Sequence, residues 1–201
     1  EMFQSCHNFN GDLSGWTINT QDIDMTNMFR DAYAFEGKGL ETWNTENVTT
    51  MQNMFSGADS FNGNISGWNT QNVTTMQNMF SGADSFNGNI SGWNTQNVTT
   101  MQNMFAGAEA FDQNLGNWNI QNVTDMENML DDSGMSKENY GNTLIGWATL
   151  DEGEAQIPEG ITLGAAGLYV CANTPAEDNR NYLISFGFWE IVDNGVLICE
   201  E

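Results

Sequence analysis

The sequence predicts a solenoid of stacked repeats followed by a separate C-terminal cap. Residues 51–75 recur without a single change as residues 76–100, and residues 101–125 follow the same frame. A unit that returns at a fixed period of about 20 to 50 residues is typical of a repeat architecture, in which each unit covers the apolar side of its neighbour. We therefore predict about five coils of 25 residues over residues 1–130 and a small α/β cap over residues 131–201.

The apolar positions of one unit predict how that unit folds. They are separated mostly by three residues and are interrupted by glycine, so a long amphipathic helix does not fit. We expect one irregular coil, with a tight turn or short helix near residues 51–58 and a short strand near residues 65–68. Stacking then places Trp68 over Trp93 and makes a continuous core. The apolar positions of one unit are Val48, Met51, Met54, Phe55, Ala58, Phe61, Ile65 and Trp68.

The periodicity stops after Leu130, where the cap begins. A helix is predicted near residues 137–148, because apolar residues recur there at helical spacing. Strands are predicted at residues 161–163, 167–171, 186–192 and 196–199. A stack needs such a cap, since its last apolar layer would otherwise face water.

The charge balance argues against two classes of partner. Asp and Glu number 27 against 4 Lys and Arg, for a formal net charge of −23. Nucleic acids and anionic membranes bind through clustered Lys or Arg, which this chain lacks. No apolar run approaches the roughly 20 residues of a membrane span, so membrane insertion is not expected either. Because residues 9–16 already read as part of a repeat, we expect the natural protein to extend upstream.

One motif carries a resemblance to a known family. The pattern Trp-Asn-Thr-x-Asn-Val-Thr-x-Met-x-Asn-Met-Phe occurs at residues 43–55, 68–80 and 93–105. It resembles the BspA-like branch of the leucine-rich repeats, and within it the bacterial surface protein 26-residue repeat family of Bacteroidetes and mycoplasmas. The resemblance implies a leucine-rich-repeat-like, right-handed solenoid in an extracellular or cell-surface protein, often one implicated in adhesion. The segments at residues 163–171 and 187–191 are similar to the closing segment of that family.

The three cysteines fall into two groups. Cys171 and Cys199 flank predicted strands of the cap, where a disulfide would stabilise the fold and indicate an oxidising compartment, while two free buried thiols are the alternative. Cys6 is unpaired by count and lies beside His7, the single histidine. That pair is a weak basis for a metal site, because zinc sites normally need more ligands than these two.

The residues needed for common catalytic sites are missing. One histidine and four basic residues build no nucleophilic triad, and the chain has no phosphate-binding loop or metalloprotease motif. The acidic groups Asp131-Asp132 and Asp151-Glu152-x-Glu154 are interpreted as solvated loops rather than as glycosidase carboxylates. We therefore expect no enzymatic activity and no cofactor, and only a cleft in the cap lined with acidic residues would indicate an enzyme.

Asparagine and tryptophan recur in register. Stacked asparagines hydrogen-bond backbone groups at turns, so at least one asparagine ladder is expected to be structural. Glycosylation is the competing interpretation, since Asn47, Asn72, Asn97 and Asn122 each open an Asn-Val-Thr sequence. The tryptophans are expected in the core, because an exposed row of them would form a large apolar patch.

The predicted outward face is neutral and repetitive, which suits an extended ligand. The residues assigned to it are Thr49, Gln52, Ser60, Thr70, Thr74, Gln77, Ser85 and Thr95. Asp59 and Asp84 are weak calcium candidates, because calcium takes about six to eight oxygen ligands and each coil offers one carboxylate.

The predicted function is non-enzymatic adhesion or recognition of a protein, a glycan or an extended surface such as extracellular matrix. The alternative is a structural spacer or an assembly subunit of a larger envelope complex. A calcium-dependent or ice-binding module is the remote alternative.

Overall fold

Consecutive repeats lie side by side and are joined by backbone hydrogen bonds. The computed structural model describes residues 2–18, 23–150 and 154–199. The N–H of Met51 donates to the carbonyl of Thr75 at 3.1 Å, and the N–H of Met76 donates to Thr100 at the same distance. Single parallel bridges also join Thr50 to Thr75 and Thr75 to Thr100. Each unit therefore satisfies much of its backbone with the neighbouring unit.

The regular strands of the repeats are short. Strands β1 (Ile23–Asp24) and β2 (Val48–Thr50) pair in parallel, with a 3-10 helix at Leu40–Thr42 between them. The strand predicted at residues 65–68 is wrong. The N–H of Trp68 donates to the carbonyl of Ile65 at 3.1 Å and closes a turn, so pairing runs instead through the positions equivalent to β2.

The turn predicted near residues 51–58 is confirmed, since residues 52–57 form consecutive turns. Asn53 and Gly57 lie in the left-handed region there, with φ of 53° and 66°. Asparagine and glycine are the residues that adopt this conformation at least cost. Their N–H groups donate to the carbonyls of Gln77 and Ser81 in the next coil, at 2.9 and 2.8 Å.

The core is a set of stacked identical residues. The Phe55 ring lies 3.7 Å from that of Phe61 in the same coil and 5.7 Å from that of Phe80 in the next, measured between centroids. Trp68 stacks on Trp93 at 6.4 Å, as predicted, and both are buried. Trp16 differs from the later tryptophans because 42% of it is exposed.

Each buried tryptophan of the stack is fixed by its indole N–H. That of Trp93 donates to the carbonyl of Ile65 at 3.2 Å, and that of Trp118 donates to Ile90 at 3.0 Å. Trp147 of the cap makes the same bond to Leu115 at 3.0 Å. The cap therefore begins by repeating an interaction of the stack.

Within residues 131–150 and 154–199, the cap consists of a helix and two short strands, followed by a second helix and two more short strands. Its elements are α1 (Lys137–Trp147), β3 (Thr162–Gly164), β4 (Val170–Cys171), α2 (Pro175–Phe186), β5 (Glu190–Val192) and β6 (Val196–Leu197). The helix predicted at residues 137–148 is confirmed. The strand predicted at residues 186–192 starts only at Glu190, because α2 continues to Phe186. Strands β3 and β5 pair in parallel, as do β4 and β6.

The cap is attached to the last coil and closed on itself. The N–H of Leu130 donates to the carbonyl of Gly164 at 2.8 Å, and Met126 bridges Leu163. The predicted disulfide between Cys171 and Cys199 is present. Together these contacts cover the apolar end of the stack.

Candidate functional surface and junction cleft

One asparagine ladder is structural, as predicted. The side-chain amides of Asn72, Asn97 and Asn122 donate to backbone carbonyls of the preceding coil, each at 2.7 Å. A second ladder accepts from the backbone, since the N–H of Gln71 donates to Asn69 Oδ1 at 3.1 Å. These asparagine side chains therefore stabilise the turns by forming hydrogen bonds with backbone N–H and carbonyl groups there.

Two residues assigned to the outward face are buried. Thr70 and Thr95 are each 1% exposed, and their hydroxyls donate to the carbonyls of Asn94 and Asn119 at 2.9 Å. The assignment of Thr70 and Thr95 to a ligand-binding surface is therefore wrong. A threonine hydroxyl bonded to a carbonyl satisfies the polar groups of a turn, which lets this polar residue lie inside.

The remaining threonines form a continuous row on the surface. The hydroxyl of Thr74 donates to the carbonyl of Thr49 at 3.2 Å, and the hydroxyls of Thr99 and Thr124 repeat this bond at 3.1 Å. We call Thr49, Thr74, Thr99 and Thr124 the threonine row. Its threonines after Thr49 are exposed.

The glutamines form a second row. The Nε2 atom of Gln52 donates to Oε1 of Gln77 at 3.1 Å, and that of Gln77 donates to Gln102 at 2.6 Å. We call Gln52, Gln77, Gln102 and Glu127 the glutamine row. Ser60 and Ser85 are exposed as predicted, farther along the coil, with their N–H groups bonded to the preceding coil.

Both rows end in a cleft between the last coil and the cap. Gln102 donates to Oε2 of Glu127 at 3.2 Å, and Asp125 stands where the earlier coils have threonine. Residues from the last coil and from β3 and β5 enclose about 530 Å³. We call this space the junction cleft; its lining residues are Thr124, Asp125, Glu127, Asn128, Gly160, Thr162, Gly164, Glu190 and Val192.

The junction cleft is anionic. Asp125, Glu127 and Glu190 are its charged residues, and no lining residue that the structure describes is basic. The N–H of Glu127 donates to Asp125 Oδ1 at 2.9 Å, which fixes that carboxylate. Such a site accepts hydrogen bonds and attracts cationic groups.

Sequence reasoning missed the junction cleft, although a signal was present. Thr-Met-Gln-Asn at residues 75–78 and 100–103 becomes Asp-Met-Glu-Asn at residues 125–128. The change from neutral to acidic occurs where the cap meets the stack.

The calcium candidates lie on the surface of successive coils. Partial desolvation and the neighbouring charges of Asp84 and Asp31 raise the pKa of Asp59 above its ordinary value. Among residues 2–18, 23–150 and 154–199, no three His, Cys, Asp or Glu side chains converge in an arrangement suited to a metal ion. In the described residues, Asp59 and Asp84 therefore do not belong to a cluster that could hold a metal ion.

The other candidate reactive groups also stand apart. Cys6 is an exposed free thiol, and the His7 ring stacks on Tyr33 at 4.6 Å. Asp131 Oδ1 accepts from the N–H of Ala166 at 2.8 Å, which gives it a structural role. Asp151 and Glu152 lie outside the described residues.

The ladders and rows define a tandem-repeat protein, in which the same contacts recur once per coil. Comparison with family models gives its family. The chain belongs to the family described as "Mycoplasma protein of unknown function, DUF285", whose model matches residues 1–43 and 23–143. No curated protein and no solved structure matches it significantly. In the described part of the chain, no helix has both the length and the apolar character needed to cross a membrane.

Proposed function

We propose that the chain is a non-enzymatic, surface-located or secreted solenoid that recognises an extended polymer along the threonine and glutamine rows. The resemblance of its repeats to BspA-like leucine-rich repeats supports adhesion as the role. Membership of a Mycoplasma repeat family is compatible with a surface location.

The geometry of the rows carries this proposal. Parallel chain segments lie about 4.8 Å apart, so each row offers the same donor and acceptor at a short, constant interval. Hydroxyl and amide groups both donate and accept, which suits the hydroxyls of a glycan or the backbone of an extended polypeptide. The junction cleft adds three carboxylates at one end of the rows. A ligand with an amino group at that end would gain a charge-assisted hydrogen bond.

Binding to arrays of neutral and amino-containing oligosaccharides, and to immobilised matrix proteins, tests the proposal. A row variant carries Thr74→Ala and Thr99→Ala. A cleft variant carries Asp125→Thr and Glu127→Gln, which restore the residues of the earlier coils and should preserve folding. We expect the row variant to lose binding to all ligands and the cleft variant to lose preference for amino-containing ones.

The paired substitution Ser60→Ala and Ser85→Ala provides a matched control away from the two rows. If the wild-type protein binds no glycan or matrix protein, recognition by the repeats is wrong. The spacer or assembly role would then be preferred, since the continuous buried core suits a rigid support.

The junction cleft also supports a competing function, hydrolysis of a bound glycan. Glycosidases use two carboxylates that flank the scissile bond. Incubation of the protein with the oligosaccharides that it binds, followed by product analysis, separates the two functions. If the wild-type protein forms a hydrolysis product that neither the Asp125→Asn nor the Glu190→Gln variant forms, the protein is an enzyme. If the protein only recognises the oligosaccharides, they stay intact.

A further inference from the structure

The cap carries an exposed groove at the C-terminal end of α2, lined by aromatic and aliphatic side chains together with polar groups. The groove has a volume of about 290 Å³, and its lining residues include Leu150, Ile157, Glu159, Tyr182 and Phe186. We call it the cap groove. Tyr182 is 44% exposed and Phe186 68% exposed, and their rings stack at 5.2 Å. Clustered exposed aromatic side chains mark interaction surfaces more often than single exposed apolar residues do.

Phe188 follows the groove residue Gly187 in the sequence. Its backbone conformation is a second indication that this part of the cap is an interaction surface. Phe188 has φ of 54° and is 68% exposed. Glycine normally occupies the left-handed position that ends a helix, because a bulky side chain destabilises it there. Packing within the fold does not explain a phenylalanine that is mostly in solvent. A strained, exposed aromatic residue is expected where a partner uses its side chain.

The charge around the cap groove restricts what occupies it. Residues 131–201 contain 13 acidic residues against Lys137 and Arg180. Arg180 is held by Asp193 through hydrogen bonds of 2.6 and 2.9 Å. Glu159 lines the groove itself, and no lining residue that the structure describes is basic. A second copy would add another net charge of −23, and an anionic bilayer would also be repelled.

We propose that the cap groove, with Phe188 beside it, docks a basic polypeptide segment that inserts apolar side chains between Leu150, Tyr182 and Phe186. The apolar side chains bury the exposed aromatic surface, and the basic ones face Glu159 and the acidic cap. This surface uses residues other than the two rows, so the inference does not rest on the recognition proposed for them.

Fluorescence anisotropy with synthetic 12-residue peptides tests the inference. One probe alternates Lys and Leu, a second alternates Lys and Ser, and a third alternates Glu and Leu. We expect the wild-type protein to bind the Lys-Leu peptide at least tenfold more tightly than either control peptide. The variant Tyr182→Ser/Phe186→Ser should reduce Lys-Leu binding at least tenfold and leave Lys-Ser binding unchanged.

Phe188→Gly separates docking from a structural role. Glycine relieves the left-handed strain, so we expect an unchanged or higher unfolding midpoint together with several-fold weaker Lys-Leu binding. Ile198→Ser is the matched control, since Ile198 is a 91% exposed apolar residue of the cap that does not line the groove. This control should bind as the wild type does.

Three outcomes would overturn the inference. The first is equal binding of the Lys-Leu and Lys-Ser peptides, which would show that charge alone acts. The second is a lower unfolding midpoint for Phe188→Gly, which would make Phe188 a packing residue. The third is binding to vesicles of zwitterionic phosphatidylcholine without binding to the Lys-Leu peptide, which would assign the groove to a lipid surface.

Discussion

At the residue scale, the left-handed asparagines are sites where one side chain determines how a coil turns. Asn78 has φ of 54°, and its N–H donates to the carbonyl of Gln102 at 2.9 Å. Because β-carbon contacts disfavour this region by roughly 1 to 2 kcal/mol, we expect Asn78→Val to destabilise the protein by about that amount. Asn78→Gly should stay closer to the wild type. Urea unfolding monitored by circular dichroism measures both, and equal midpoints for the two variants would contradict the explanation.

Asp59 is expected to destabilise the folded protein when it is ionised. Partial desolvation, Asp84 and Asp31 together raise its pKa, so the folded state binds the proton more tightly than the unfolded state does. Its unfavourable contribution is present above the folded-state pKa and is relieved as the pH falls through that value. Asp59→Asn should therefore raise the free energy of unfolding at pH 7, by less than about 1 kcal/mol because the group is exposed, and the unfolding midpoint should rise with it.

Low ionic strength gives the clearest measurement of this effect, since salt screens surface charges. Asp178→Asn, a substitution of an exposed carboxylate in the cap, far from Asp59 along the chain, is the control and should have a smaller effect. A lower midpoint for Asp59→Asn would indicate that the carboxylate stabilises its turn.

The residues that sequence reasoning placed correctly are those whose copies stack on one another. The repeat period alone predicts the positions of Trp68, Phe55 and the asparagine ladders, because equivalent residues of neighbouring coils must contact each other in a stack. Thr70 was placed wrongly, since its burial depends on a hydroxyl bond to the next coil that no hydropathy pattern reveals. Asp125 was overlooked because its environment is created by cap residues distant in sequence.

At the element scale, a part-buried ion pair joins helices α1 and α2 of the cap to the turn after β5. Asp193 accepts from Arg180 at 2.6 and 2.9 Å and from the hydroxyl of Tyr140 at 2.7 Å. Burial acts to raise the pKa of Asp193, but the hydrogen bonds from Arg180 and Tyr140 outweigh it and leave the pKa below its ordinary value. The carboxylate is therefore stabilised in the folded state.

Removal of this charge should destabilise the cap. Asp193→Asn leaves Arg180 without its charged partner; this typically costs about 3 to 5 kcal/mol for a fully buried pair, and we expect a smaller loss here because the pair is part-buried. Because the folded-state pKa is lowered, the wild-type contribution is present above about pH 4 and is lost as the pH falls through the folded-state value. Urea unfolding at pH 7 and pH 3 should show a large difference between the two proteins at pH 7 and a smaller one at pH 3.

Tyr140→Phe keeps the ion pair and removes one hydrogen bond, so it should cost about 2 kcal/mol. The proposed stabilising role of the ion pair is wrong if Asp193→Asn and the wild type unfold at the same urea concentration at pH 7.

Of the elements of the cap, helix α1 was predicted, whereas α2 and the pairing of the strands were not. The apolar spacing of α1 identifies it directly, and Ser136 caps it by accepting from the N–H of Asn139 at 3.2 Å. The strand pairs of the cap hold only two or three residues each and depend on partners about 25 residues away. Short parallel pairs of this kind leave little periodic signal in a sequence.

At the scale of the whole molecule, stability is expected to grow with the number of coils. Residues 51–75 and 76–100 are identical, so deletion of residues 76–100 brings residues 51–75 against residues 101–125 through an interface that already exists. The deletion removes one coil and one coil-to-coil interface, and it creates no new contact. Stability of stacked repeats is approximately a sum of such unit and interface terms.

Deletion and duplication of residues 76–100 should therefore shift the free energy of unfolding in opposite directions. At roughly 0.05 to 0.15 kcal/mol per residue, one 25-residue unit corresponds to roughly 1 to 4 kcal/mol. Urea unfolding should show this change together with a denaturant dependence that increases with chain length. Deletion of residues 76–87 is the control, because half a unit breaks the register of every ladder and should abolish cooperative unfolding. A duplication that leaves the free energy of unfolding unchanged would show that the cap, rather than the stack, determines the stability of the molecule.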